Sequence, residues 1–104
     1  MKGANLDGPD GSISAFSARI SGQVQGVGFR YSACHEARRA GIRGWVRNTP
    51  EGDVEVWAEG PPAKLEAFCQ WLRRGPPGAW VDAVDSAVRA PAGYRTFSIE
   101  YDRR

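Results

Sequence analysis

The chain has 104 residues, enough for one small domain and too few for a large cofactor-binding architecture. Hydrophobic residues make up 41% and charged residues 25%, the balance of a globular chain. The formal charge of +2 is too mild to argue for nucleic acid, and apolar runs of only a few residues exclude a membrane-spanning helix.

Residues 1–12 are rich in Gly, Asp, Asn and Pro and are expected to form a disordered tail, with the folded domain over 13–104. The tail has no apolar h-region, so cytoplasmic residence is expected. Phe16, Ala18 and Ile20 then alternate with Ser17, Arg19 and Ser21, which is strand periodicity. The stretch GQVQGVGFRY follows at 22–31. After it, YSACHEARRAG reads as a helix closed by Gly41, with an apolar stripe of Ala33, Cys34, Ala37 and Ala40. IRGWVRN is a second strand, Thr49-Pro50-Glu51-Gly52 a turn, and DVEVWAE a third strand. Pro61 and Pro62 open a second helix, along which Leu65, Phe68, Cys69 and Leu72 recur at helical spacing. Gly75-Pro76-Pro77-Gly78 stops it, WVDAVDSAV is a fourth strand, and Phe97, Ile99 and Tyr101 alternate in a fifth. The order predicts an α+β fold of the ferredoxin-like, split βαβ plan: an antiparallel sheet with two helices on one face. The four tryptophans and four phenylalanines are expected to supply much of the core.

Much chemistry is excluded. The one histidine, His35, sits mid-helix among charged residues and reads as solvated. Cys34 and Cys69 are isolated and read as buried free thiols, so no metal site is expected. Cys34 and His35 are neighbours on a helix and diverge by roughly 100°, which rules out a nucleophile–base pair. Asp82 and Asp85, three apart on a strand, point to opposite faces.

The glycine-rich stretch leaves a strand and enters a helix. That geometry aims several backbone N–H groups at one spot beside the positive end of a helix dipole. Gly26 and Gly28 let the backbone curl and a ligand come close. Arg30 follows in the first helical turn, and its planar fork suits two oxygens of a tetrahedral anion. Neither a Walker A motif nor a dinucleotide fingerprint is present. Taken alone, the loop is equally a tight turn that uses glycines for geometry.

A second stretch changes the balance. GQVQGVGFR at 22–30 resembles the phosphate loop of the acylphosphatases, with its V-Q-G-V-x-F-R core intact. GWVRNTPEGDVEVWAEG at 44–60 resembles that family's second signature, at Gly44, Trp45, Val46, Arg47, Asn48, Gly52, Val54 and Gly60. The resemblance extends over roughly residues 13–101. It implies a hydrolase that converts acyl phosphates to carboxylate and orthophosphate, with no metal and no cofactor. It implies that Arg30 and the backbone amides of Gln25, Gly26, Val27, Gly28, Phe29 and Arg30 hold the phosphoryl group, and that Asn48 positions the attacking water. For Gln25 the amide is expected to matter and the side chain not. The implied partners are a small-molecule acyl phosphate and inorganic phosphate, the latter as product and inhibitor. A monomer without nucleic acid or membrane partners is expected.

The chemistry agrees with so bare a site. A carboxylate leaving group has a conjugate-acid pKa of about 4 and needs no proton to depart. What remains is positioning and charge stabilisation, which arginine and N–H donors supply. Two rivals stay open: an RNA-binding sheet using Trp45 and Trp57, and a regulatory domain that senses phosphate-bearing ligands through the same loop.

Overall fold

The structure is a computed structural model and describes residues 12–101; the tail expected over 1–12 lies, Ser12 apart, outside the described residues. Seven elements follow in chain order: β1 (Ser14–Gln23), α1 (Phe29–Arg39), β2 (Arg43–Asn48), β3 (Val54–Gly60), α2 (Pro62–Arg74), β4 (Trp80–Arg89) and β5 (Phe97–Glu100). They match the expected ferredoxin-like α+β order. The five strands form one sheet in the order β4-β1-β3-β2-β5. β1 pairs antiparallel with β3 and β4, and β2 antiparallel with β3. The sheet is nevertheless mixed, because β5 runs parallel to β2, with Gly44 opposite Phe97 and Arg47 opposite Glu100. The connection after β4 carries the chain from one edge of the sheet to the other, so β5 runs opposite to β4 and lies parallel to β2, a strand it does not directly follow.

Local chemistry sets the helix ends. Ile42 N–H donates to Ala37 O and Gly41 N–H to Arg38 O, a Schellman closure at the glycine expected to end α1. The helix begins at Phe29, which is buried, two residues before the Tyr31 start expected from the sequence. Pro62 occupies the first turn of α2, where its missing N–H costs nothing.

Alternation along the strands gives the sheet two unlike faces. Ala18, Ile20, Val46, Val54, Val56 and Ala58 pack beneath the helices with Ala33, Ala37, Leu65 and Leu72. Phe68 is the centre of an aromatic group with Phe16, Trp71 and Phe97, at ring-centroid distances of 5.9 to 6.5 Å. Each fully buried side chain of this size contributes about 1.5–3 kcal/mol. The phenylalanines thus carry the aromatic core. The tryptophans do not: Trp71 only edges it, Trp80 is exposed, and Trp45 and Trp57 lie on the other face. Among the described residues, no helix is long and apolar enough to cross a membrane.

The face away from the helices is polar and stitched. Arg19 bonds Glu51, Asp53 and Glu55, and Arg47 bonds Glu55. The bond from Arg19 holds the Glu51 carboxyl below its usual value, while bonds to Asp53 and Glu51 raise Arg19. At one end of this face sits Glu59, buried although charged. Its carboxylate accepts from the backbone N–H groups of Ala92, Gly93 and Tyr94 and from Trp57 Nε1, so it ties the β4–β5 connection to the sheet. Burial pushes this carboxyl up, but the four donors together outweigh burial and hold it below its ordinary 4.5. The sign follows. Glu59 contributes stability above that ordinary value, and the contribution is lost as pH falls through the lower folded-state value. Glu59→Gln removes an acceptor and faces the loop amides with an NH₂ group, so it should destabilise by about 2 kcal/mol. Chemical denaturation at pH 7 and at pH 4 checks this: the gap between the two proteins should shrink at the lower pH.

Candidate active site

β1 ends at Gln23, paired to Trp80, and the chain then turns toward the helix-covered side. Val24 and Phe29 are buried and pin the two ends of the loop. Between them Gly26 and Gly28 both adopt φ of 77°, in the left-handed region that L residues avoid. A Cβ built on either glycine would meet nothing within 4 Å. The glycines are therefore required by conformation, and the space above the loop is open.

Gly28 is also the N-cap of α1. It offers no capping side chain, and the first turn carries no acidic residue. Helix N-termini ordinarily have one or the other. Among the described residues, no backbone or side-chain acceptor takes the amides of residues 25–30. Six consecutive amides leading into the positive end of a helix are thus without an acceptor among the described residues.

Arg30 stands beside them in the first turn. Other arginines have settled partners: Arg19 and Arg47 the carboxylates named above, Arg39 Glu36, and Arg38 the Phe97 carbonyl. Among the described residues Arg30 has no carboxylate, and its guanidinium lies over the Tyr101 ring, 5.3 Å from the centroid. A cation held by an aromatic face keeps its N–H fork free for an anion.

Asn48 closes β2. It shares the helix-covered face with Val46 and sits opposite the buried Val54. Its Oδ1 is buried and has no hydrogen-bond partner among the described residues. An orphaned buried acceptor is costly and calls for a donor. The turn after it is firmly knit: Thr49 N–H donates to Asp53 O, Gly52 N–H to Thr49 O, and Asp53 N–H to Thr49 Oγ1. The loop and this turn are joined directly, since Gln25 Nε2 donates to Thr49 O at 2.9 Å and to Asp53 O at 2.8 Å.

The residues singled out from the sequence therefore lie on two adjoining segments of one end of the sheet. Sequence reasoning missed the Gln25 side chain and the placement of Tyr101 against Arg30. The partners of Gln25 are 24 and 28 residues away, and no local pattern announces them. Trp45 and Trp57 do not form a free stacking platform. Trp45 Nε1 bonds Tyr94 OH and Arg47 covers the Trp45 ring; Trp57 is held by Glu59 and meets Tyr94 edge-on.

Comparison with known proteins agrees with this geometry. The family model described as Acylphosphatase matches residues 16–99. An acylphosphatase of Thermococcus kodakarensis is 48% identical over 81 residues, which cover 78% of this chain and 89% of that protein. The crystal structure of acylphosphatase from Bacillus subtilis superimposes with a TM-score of 0.82 at 37% identity, over 85% of this chain and 99% of that one. An acylphosphatase from Coxiella burnetii gives 0.84 at 33% identity, over 88% and 96%. With both signature segments converging on a single open end of a ferredoxin-like sheet, the chain belongs to the acylphosphatase family of hydrolases.

Proposed function

We propose that this protein hydrolyses the carboxyl–phosphate anhydride of small acyl phosphates without metal or cofactor, by cradling the phosphoryl group and positioning one water. One observation carries the reading: among the described residues, amides without an acceptor at an uncapped helix start, an arginine without a carboxylate and a buried asparagine oxygen without a donor lie on adjoining segments. The amides of 25–30 and the Arg30 fork meet the equatorial phosphoryl oxygens, where charge accumulates. Asn48 Oδ1 accepts from the water and aims its oxygen at phosphorus. The P–O bond to the acyl oxygen breaks as the water–phosphorus bond forms. The electron pair leaves on the carboxylate, which needs no acid. The proton of the water passes to a phosphoryl oxygen, so an acyl phosphate dianion and water yield a carboxylate and dihydrogen phosphate. Orthophosphate fits the same cradle and inhibits.

This scheme asks nothing of His35, Cys34 or Cys69. It also predicts selectivity. Phosphate monoesters expel an alkoxide, which requires a general acid that the site does not offer. The test is phosphate release from benzoyl phosphate and from a phosphate monoester, each with and without a chelator. Release from the acyl phosphate alone, unchanged by chelator, is the expected result. Loss of activity on chelation would refute the metal-free mechanism, and equal turnover of the monoester would refute the leaving-group argument.

A further inference from the structure

We propose that the side chain of Gln25 is a positioning residue, one that fixes Asn48 relative to the amide loop; the proposal rests on the roles given to Asn48 and the loop above. Both hydrogens of its Nε2 are committed, one to Thr49 O at 2.9 Å and one to Asp53 O at 2.8 Å. These two carbonyls stand at the mouth of the turn that follows Asn48. Each also accepts a backbone N–H within the turn, Thr49 O from Gly52 and Asp53 O from Thr49. Two lone pairs on each oxygen are thereby used. Gln25 thus holds the turn from outside at the residue directly after Asn48.

Glutamine is chemically suited to this. A single amide NH₂ offers two donors from one atom, without charge beside a phosphate site. Asparagine is shorter by one methylene. Glutamate at neutral pH has no donor and would face two carbonyl oxygens. Along the covalent chain, Gln25 and Asn48 are separated by a helix and a strand, and the side chain bridges them in one step. The reaction needs a water lined up with a phosphoryl group, so the separation of loop and strand end sets the rate. A misplacement of about 1 Å is enough to lower turnover by about 10²-fold.

The test is Gln25→Met, which keeps length and apolar packing but has no donor. kcat should fall by about tenfold or more, in line with lost alignment of a reactant. Orthophosphate affinity should stay within about threefold, under 1 kcal/mol by the usual conversion, because the amides and Arg30 remain. In an Asn48→Ala background the same change should lower kcat little further, since the group it positions is gone. Unchanged kcat in Gln25→Met would overturn the proposal. So would an additive loss in the double variant, or a fall in phosphate affinity that matches the fall in kcat, since either assigns Gln25 to loop integrity alone. Should Gln25→Met unfold in a thermal scan, Gln25→Glu decides. Its carboxyl regains one donor on protonation, so its kcat relative to the parent protein should rise as pH falls through about 4.3; a flat ratio would overturn the proposal. Full turnover in Asn48→Ala is a separate result: it removes the water-positioning reading itself, whereas loss in Asn48→Ala with none in Gln25→Met removes only the role of Gln25.

Discussion

Arg30→Ala should abolish acyl phosphate turnover and orthophosphate inhibition together. The proposed site has one guanidinium, and it serves both the bound anion and the charge that develops on the transferring group. Arginines that stabilise phosphoryl transfer elsewhere contribute about 10³–10⁵ in rate, so a loss of at least about 10³-fold is expected here. Arg30→Lys should recover little, since a point charge cannot reproduce a planar fork that addresses two oxygens at once. Folding should survive the change. Among the described residues the contact of this guanidinium is the Tyr101 ring, and an exposed cation–π pair is worth about 0.5–1 kcal/mol. Phosphate release measured beside inhibition constants for orthophosphate decides the matter. Near-normal inhibition of residual activity in the alanine variant would place the anion site elsewhere.

Asn48→Ala should separate turnover from binding. The loop amides and Arg30 remain in this variant, so orthophosphate should bind almost as before. kcat should fall by at least about 10²-fold, because the water loses the acceptor that orients it. Asn48→Asp is the sharper variant. It keeps the shape, deletes the NH₂ donors and places a negative charge near a phosphoryl group, so it should be inactive near neutral pH. Calorimetric titration with orthophosphate, run beside kcat for benzoyl phosphate, distinguishes the outcomes. Phosphate affinity lost with kcat intact would move Asn48 into the anion cradle. Thermal unfolding belongs in the same experiment. Removing an unpaired buried oxygen relieves a local cost, so Asn48→Ala should unfold no earlier than the parent unless the turn itself is disturbed.

Periodicity made most of the elements readable. Ala18 and Ile20 sit on the buried face that alternation assigns them, and Gly41 and Gly75 end their helices as expected. The two glycine-bearing segments were readable as motifs because backbone requirements leave residue-specific traces. Positive φ at Gly26, Gly28 and Gly52 is such a trace. What was not readable depends on groups distant in sequence. The parallel placement of β5 is set across the sheet by β2, and nothing within TFSIEY states a direction. Alternation puts Trp57 on the face of Glu55 and Glu59, away from Val56, but Glu59 acquires a reason for burial only when the amides of 92–94 arrive. The Gln25 bonds end on carbonyl oxygens, which every residue possesses, so Thr49 and Asp53 carry no mark of them.

Among the described residues the amides of 25–30 have no acceptor, and such groups leave no mark in the sequence. Every residue except proline brings the same N–H to its peptide unit. A recognition surface made from such groups is recorded in the path of the chain and not in the letters along it. Exchanging the side chains of Val27 or Phe29 alters packing and leaves the number of donors as it was. A residue-by-residue alanine scan would therefore report the side chains of Gln25, Arg30 and Asn48 and the backbone strain at Gly26 and Gly28, and leave every N–H group itself in place. Chemistry that edits the peptide bond itself can see them: an ester in place of one amide removes a single N–H while every side chain stays. A chain of 104 residues is short enough to be assembled from synthetic segments, which makes the main chain, for this protein, as open to substitution as the side chains are.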